Sequence, residues 1–220
     1  KPINNKNGSF TLLDFTDFTT PGTYYLSYNS HESKPFPINE YVWLEPMFSG
    51  INFYFCQRCG YEVPGIHGIC HQDWQGFYNN EKKVINGGWH DAGDYGRYVV
   101  PGAKAVQDLL LTYEDSEYAA KDDAIGIPES GNGVPDVLDE VRYELDWMLK
   151  MQDETSGGVY HKVTGEVFPE MVAAVEETAQ MILSPISNTA TGDFAAVMAK
   201  ASVVYRKYDA AFADSCLAAA

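Results

Sequence analysis

The sequence predicts a mainly α-helical protein with a short β-rich segment in front of it. Apolar residues recur at helical spacing in five segments from residue 39 onward. Before residue 39, runs of β-branched and aromatic residues alternate with turn signals instead. Apolar residues make up 45% of the 220 residues and aromatic residues 14%, which is enough for a sizeable core.

Residues 1–38 contain two runs typical of strands, Phe10–Phe15 and Thr23–Tyr28, separated by the turn signal Thr20-Pro21-Gly22. We predict two or three strands here, which is fewer than the roughly seven of a complete immunoglobulin-like sandwich. The K-P-F-P sequence of residues 34–37 favours a stiff linker. The predicted domain boundary therefore separates residues 1–38 from residues 39–220.

The helical pattern is clearest over residues 135–152, where apolar residues repeat at i, i+3 and i+4 from Val137 to Leu149. Pro135 suits the first helical position, because proline has a fixed φ and that position needs no N–H donor. Patterns of the same period cover residues 40–60, 98–114, 191–208 and 210–220.

Charge and hydropathy argue against two kinds of partner, nucleic acid and a membrane. A formal charge of −16 at pH 7 argues against nucleic acid, because phosphates require a basic surface. The chain also lacks a run of about 18 apolar residues, so no segment is expected to span a membrane. The polar start of the chain indicates a mature or trimmed piece without a signal peptide. We expect a secreted, extracellular protein with an uncharged substrate.

The segment Gly87–Tyr98 reads GGWHDAGDYGRY and places two carboxylates three residues apart. Its glycines allow sharp turns and a close approach of a ligand to the backbone. Trp89 and Tyr95 flank the carboxylates, and aromatic side chains with one polar edge suit the apolar faces and hydroxyl edges of sugars. A turn in which Asp94 caps the following helix would produce a similar pattern.

This segment resembles the G-G-W-Y/H-D-A-G-D-Y/F signature of glycoside hydrolase family 9, the inverting cellulases. Residues 54–73, which contain Q-R-C-G and H-G-I-C-H-Q-D, resemble the branch with an N-terminal immunoglobulin-like module. Three further blocks resemble the family in its order: IPESGNGVPDVLDE at 127–140, GGVYHKVT at 157–164, and residues 184–199. The resemblance implies a partial (α/α)₆ toroid, with about five of its twelve helices, preceded by a remnant of the immunoglobulin-like module.

The resemblance implies hydrolysis of β-1,4-glucosidic bonds with inversion, as in endoglucanases acting on cellulose or related β-glucans. That reaction needs a base and an acid roughly 6.5–9.5 Å apart. The resemblance assigns Asp94 as the general base and Asp91 as the residue that orients the attacking water. The family's general acid is a Glu near the C-terminus of the catalytic domain, and no segment of this chain corresponds to it. Candidate sugar contacts, with packing as the alternative, are Trp89, Tyr95, Tyr160 and His161.

The alternative interpretation is a truncated, non-catalytic segment that at most binds glucan weakly. Because the acid lies outside this chain, we expect the isolated chain to be inactive. The expected partners are a β-glucan polysaccharide and either a second copy of the chain or a complementary C-terminal half. An open toroid would expose apolar helix faces, which favours such association.

Cys59, Cys70 and His71 supply two thiolates and an imidazole, a donor set that suits zinc. Some family members bind structural zinc here, and the resemblance implies a fourth ligand three residues after Asp94. Arg97 stands at that position and cannot ligate a metal. The residues that could replace it are His67, His90 and Cys56. A Cys59–Cys70 disulfide or simple buried thiols are the alternatives.

A structural calcium site is also expected, because the family uses calcium and oxygen donors crowd a glycine-rich loop. These donors are Asp122, Asp123, Glu129, Asn132, Asp136 and Asp139. Their spacing does not fit an EF-hand, and solvated carboxylates with local turns are the alternative. No organic cofactor is expected.

Overall fold

The computed structural model describes residues 2–71, 75–78 and 81–220. The chain divides into two compact units, Lys1–Pro46 and Met47–Ala220. Asp73, at the end of the Q-D motif, lies outside the described residues. Within the described part of the chain, every helix is too short or too polar to cross a bilayer.

The first unit is built from short strands joined in three antiparallel pairs, β1–β2, β3–β6 and β4–β5. Their bounds are β1 Pro2–Asn5, β2 Gly8–Thr11, β3 Gly22–Tyr24, β4 Ser27–Tyr28, β5 His31–Glu32 and β6 Phe36–Ile38. The β-rich character predicted for this segment is therefore confirmed. Its assignment to an immunoglobulin-like module, and the boundary at residue 38, stay predictions.

The linker predicted over residues 34–37 is partly a strand. Phe36–Ile38 forms β6 and pairs antiparallel with β3, so that Pro37 lies opposite Thr23. A two-stranded pair consists of edge strands, and at an edge a proline without an N–H is tolerated. The K-P-F-P sequence therefore does not prevent pairing.

Five α-helices follow in the described residues, at the positions where the apolar pattern predicts helices. Their bounds are α1 Leu44–Phe55, α2 Val99–Asp115, α3 Asp136–Lys150, α4 Asn188–Val204 and α5 Ala210–Ala219. Pro135 is the N-cap of α3 and not its first helical residue. Helix α4 starts earlier than predicted because Ser187 caps it, its side chain accepting a hydrogen bond from Ala190 N at 3.3 Å.

The core of the second unit lies where α2 packs against α3 and α4, and α4 against α5. Leu110, Leu145 and Met198 from these helices are completely buried. Trp147 on α3 and Cys216 on α5 are also 0% exposed. Burial of each large apolar side chain stabilises the fold by about 1.5–3 kcal/mol.

A five-stranded mixed sheet completes the second unit, in the order β8-β7-β11-β10-β9. Its strands are β7 Gln75–Tyr78, β8 Glu81–Val84, β9 Arg97–Tyr98, β10 Lys162–Gly165 and β11 Met181–Leu183. Strand β11 runs parallel to β7, and the other neighbours are antiparallel. The sequence pattern did not predict this sheet, because strands of two to four residues carry too little periodicity. Strand β9 directly follows the two-carboxylate segment and fixes its C-terminal end.

Candidate active site

Asp91 and Asp94 lie on one tight loop. Asp91 N donates to Gly96 O at 2.9 Å, and Tyr95 N donates to Ala92 O at 3.0 Å. Tyr95 has a φ of 51°, in the left-handed region that non-glycine residues rarely adopt. Asp91 is exposed and Asp94 is half-buried, so both carboxylates remain accessible to a substrate.

Trp89 anchors this loop to α3. Its Nε1 donates to Glu140 Oε1 at 2.6 Å, and its backbone N donates to Glu144 Oε2 at 2.7 Å. The two glutamates are four residues apart and therefore share one face of the helix. Gly88 allows the close approach, because a Cβ there would lie 2.7 Å from the Trp147 ring. The rigid helix thus holds the chain two residues before Asp91.

The two glutamates carry different charges in the fold. Arg58 Nη2 lies 2.9 Å from Glu140 Oε2, and Arg58 Nη1 lies 2.8 Å from Glu129 Oε1. Burial raises the pKa of Glu144 to about 8. Glu140 is therefore neutralised by a cation, whereas Glu144 retains a proton at neutral pH.

Asp91 and Asp94 influence each other. Burial raises the pKa of Asp91, and the negative charge of Asp94 raises it further. The charge of Asp94 therefore disfavours a second negative charge on Asp91. Two carboxyl groups on one loop can both hydrogen-bond a water molecule.

A cavity of about 200 Å³ opens beside Asp91. Its lining includes Tyr54, Gln57, Trp89, Tyr98 and Glu144. A concave site with aromatic walls and a few polar groups suits a small polar ligand. The exposed carboxylate at its edge can act on such a ligand.

The four predicted sugar contacts lie in different environments. Trp89 and Tyr160 are only 6% and 8% exposed. The Tyr95 hydroxyl donates to Val172 O at 2.7 Å. These three side chains are packed against the protein, although Trp89 also lines the cavity, and their sugar contacts stay predictions. His161 is half-buried with its ring centroid 6.3 Å from that of Tyr98, and its sugar contact stays a prediction.

A buried cluster beside the loop has the donor set of a metal site. The ligating atoms of Cys59, Cys70, His71 and His90 all lie within 4.8 Å of one another. Cys59 Sγ is 3.4 Å from His71 Nδ1, and Cys70 Sγ is 3.5 Å from His90 Nε2. A tetrahedral zinc ion with ordinary bond lengths has S–N edges of about 3.5 Å. The cluster therefore fits zinc.

Of the three residues that could replace the fourth ligand, His90 is the one that lies in the cluster. Arg97 is buried and donates to Ile85 O and Gly87 O, both at 3.0 Å, so it supports the loop instead. His90, in the variable position of the signature, completes the cluster. The Cys59–Cys70 disulfide is also absent, since both cysteines are free. Burial raises the pKa of Cys59, whereas a hydrogen bond from Cys59 lowers that of Cys70.

Glu177 adds an outer contact that the sequence did not reveal. Its Oε2 lies 3.2 Å from His71 Nε2, and both side chains are almost fully buried. A carboxylate at one ring nitrogen fixes the tautomer and directs the other nitrogen to the metal. Burial alone would lower the pKa of His71, but contacts with Cys70 and Glu177 raise it. The two residues are 106 positions apart, too far for a spacing argument.

Asp122, Asp136 and Asp139 form a second cluster, with oxygens within 4.8 Å of one another. Asp136 is 0% exposed, and its Oδ1 has no partner among the described residues. Burial raises the pKa of Asp139 to about 6. A buried, unpaired oxygen beside two further carboxylates fits a hard cation. Of the other predicted donors, Glu129 instead pairs with Arg58.

Comparisons with known proteins agree with this geometry. The family model described as "Glycosyl hydrolase family 9" matches residues 45–220. Endoglucanase D of Acetivibrio thermocellus is 35% identical over 230 residues, which cover 99% of this chain. The chain spans 37% of that relative's length.

Solved structures show the same relationship. A metagenome-derived family 9 endoglucanase superposes with a TM-score of 0.85 at 36% identity, covering 94% of this chain and 40% of that one. A zinc-binding triple mutant of the family 9 endoglucanase J30 gives a TM-score of 0.84 at 33% identity, covering 94% and 42%. The helices of this chain therefore follow the (α/α)₆-type fold of these neighbours. The family match over residues 45–220, the order of the motif segments and the paired carboxylates lead to one conclusion: the chain belongs to glycosyl hydrolase family 9.

Proposed function

We propose that the protein is an inverting glycosidase that cleaves β-1,4-glucosidic bonds of cellulose or a related β-glucan. The observation that carries this proposal is the accessible Asp91–Asp94 pair beside an aromatic-walled cavity. Endoglucanase D, which is similar to this chain over nearly all its residues, supports the substrate class by its name. A secreted location fits a polymeric substrate and belongs to the same proposal.

In the proposed reaction Asp94 removes a proton from water while Asp91 holds that water by a hydrogen bond. The water oxygen bonds to the anomeric carbon as the glycosidic C–O bond breaks, which inverts the configuration. The leaving oxygen takes a proton from a carboxylic acid. In the family resemblance that acid is a Glu outside these 220 residues, so the decisive tests use the full-length protein.

The proposal includes two structural metals. Cys59, Cys70, His71 and His90 would hold zinc, which would tie the Asp91 loop to the segment that carries both cysteines. Asp122, Asp136 and Asp139 would hold calcium in front of α3. Neither metal takes part in bond cleavage. Their contribution is to fix the Asp91–Asp94 loop and the start of α3.

The first test is Asp94→Asn in the full-length protein, assayed by release of reducing sugar from soluble cellulose. Removing a general base lowers turnover by about 10²–10⁴-fold, and we expect kcat to fall in this range. Asp115→Asn is the matched control. Asp115 is exposed at the far end of α2, and a helix of 17 residues is about 25 Å long.

Product stereochemistry gives an independent readout. NMR of freshly released sugar should show the α-anomer first, because inversion at a β-linked centre produces it. Retained turnover in Asp94→Asn would contradict the base assignment. A β-anomer as the first product would contradict the inverting mechanism.

A further inference from the structure

A compact group of side chains surrounds the carboxylate of Asp94. The Tyr98 hydroxyl donates a hydrogen bond to Asp94 Oδ2. The backbone N of Gly96 donates to the other oxygen, Oδ1, at 3.3 Å. Both oxygens therefore accept a hydrogen bond from within the protein, which orients the carboxylate.

The sheet places a cation behind this tyrosine. In the β9–β10 pair, Tyr98 lies directly opposite Lys162, so the two side chains share one face of the sheet. Lys162 Nζ is 3.3 Å from the Tyr98 hydroxyl and 4.7 Å from the centre of its ring. A positive charge beside the hydroxyl oxygen makes its proton a better donor to Asp94.

The packing is tight on the side of Gly96. A Cβ at Gly96 would lie 2.7 Å from Tyr98 Cε2 and 3.0 Å from both Asp94 Oδ2 and Thr164 Oγ1. Thr164 follows Lys162 by two positions on β10 and therefore points to the same face. The side chains of Asp94 and Tyr98 are thus held in one arrangement by contacts on several sides.

The tyrosine remains a donor over the working range of the site. Burial, followed by the hydrogen bond and charge of Asp94, raises the pKa of Tyr98 to about 12. The other titratable groups that face this cluster are Asp91 on the same loop, and His161 and Lys162 from β10 and its approach. Among the described residues, Tyr98 is the one whose hydroxyl donates a hydrogen bond to Asp94.

We propose that Tyr98, supported by Lys162, is a positioning residue that orients Asp94 for proton removal. This inference rests on the proposed role of Asp94 as general base. It assigns a function to the short strand β9, which presents Tyr98 to the loop and joins it to the lysine on β10. Both residues lie within motif segments, at the end of GGWHDAGDYGRY and inside GGVYHKVT, but neither was singled out there.

The experiment is Tyr98→Phe in the full-length protein, with kcat and KM measured on soluble cellulose from pH 4 to 9. Loss of a hydrogen bond to a charged group corresponds to roughly 10–100-fold, and we expect kcat to fall by this factor with little change in KM. The loss should appear in kcat and not in KM, because the tyrosine orients the base and does not hold the glucan. Lys162→Met should lower kcat in the same way by a smaller factor.

Tyr113→Phe is the matched control. Tyr113 also makes a hydroxyl hydrogen bond, to the Tyr208 hydroxyl at 2.9 Å, and burial raises its pKa to about 12, but it lies near the other end of α2. Its kcat and KM should match those of the wild type. Circular dichroism and melting temperature of all variants separate loss of fold from loss of orientation.

The outcomes distinguish this inference from the proposed function. If Asp94→Asn is inactive but Tyr98→Phe keeps the wild-type kcat, the positioning role is wrong and the base assignment stands. If Asp94→Asn retains activity, the base assignment itself fails. Adding Tyr98→Phe to Asp94→Asn should cause little further loss, because the tyrosine acts through Asp94. A full additional loss in the double variant would overturn the inference.

Discussion

Glu144 is a buried carboxyl group whose surroundings stabilise a negative charge only in part. Burial is the largest influence on its pKa, and the backbone N–H of Trp89 opposes it only partly. In the folded chain the pKa is about 8, against an ordinary value of 4.5 for a glutamate in water. The folded state therefore binds a proton that the unfolded chain releases at lower pH.

This difference predicts how stability depends on pH. The contribution of Glu144 is fully present below about pH 4.5 and is lost as pH rises through about 8, because the folded pKa is raised. The free energy of unfolding should fall by up to about 3 kcal/mol between pH 5 and 8. Urea denaturation of the wild type and of Glu144→Gln measures it, and the variant should show a flatter dependence.

Glu117→Gln is the control for this measurement, since Glu117 is exposed. It should keep the pH dependence of the wild type. An unchanged slope in Glu144→Gln would show that another group is responsible for the pH dependence.

At the scale of the element, α3 connects the loop that carries Asp91 and Asp94 to the buried Arg58. The guanidinium lies over three rings, with its carbon 4.6–5.2 Å from their centres, and its partner Glu140 is completely buried. Those rings belong to Phe55, Tyr61 and Tyr143. The ion pair is therefore far from solvent, where an unpaired charge is costly.

Removing Arg58 should weaken the fold strongly. Arg58→Met leaves the Glu140 carboxylate buried without its cation, and we expect a loss of about 3–5 kcal/mol in the free energy of unfolding. Lys104→Met breaks the exposed pair with Asp108, whose side chains are 71% and 54% exposed, and should change stability by less than about 1 kcal/mol. Equal effects in chemical denaturation would contradict the buried role of the Arg58 pair.

The helices were predictable from the sequence because each repeats its apolar pattern over several turns. The five-stranded sheet was not, because β9 has two residues and β11 three. Such strands exist through pairing with distant segments, which a local pattern does not contain. Boundaries depended on caps, as Ser187 shows for α4.

The site was predictable to the extent that it lies in motifs. Asp91 and Asp94 were placed by the GGWHDAGDY segment, and the structure brings them together on one accessible loop. Tyr98, Lys162 and Glu177 were missed because their roles arise from contacts across the fold. For the fourth metal ligand the sequence left three candidates, His67, His90 and Cys56, and only the fold selects His90 among them, since distance along the chain does not fix proximity in space.

At the scale of the whole molecule, the proposed zinc site connects chain segments that are far apart in sequence. The structure joins residues 59–71, His90 and, through His71, Glu177. A ligand that binds only the folded state stabilises it in proportion to its affinity. Metal content should therefore determine thermal stability.

Cys70→Ser tests this link. We expect the wild type to contain about one zinc ion per chain by elemental analysis and the variant to contain almost none, with a melting temperature lower by several degrees. Cys216→Ser is the control, because Cys216 is buried in α5, where burial raises its pKa to about 11 and disfavours a thiolate. Full zinc content in Cys70→Ser would exclude Cys70 as a ligand.

The pairing of β9 with β10 has a consequence for biogenesis. Tyr98 and Lys162 are 64 positions apart, and at about 5–20 residues per second the ribosome delivers the lysine several seconds after the loop. The loop that carries Asp91 and Asp94 therefore leaves the exit tunnel of the ribosome before strand β10 has been synthesised. A translational pause between the two segments would prolong the interval in which the loop lacks its partner, and a chaperone acting on nascent chains would meet the site in that unassembled form.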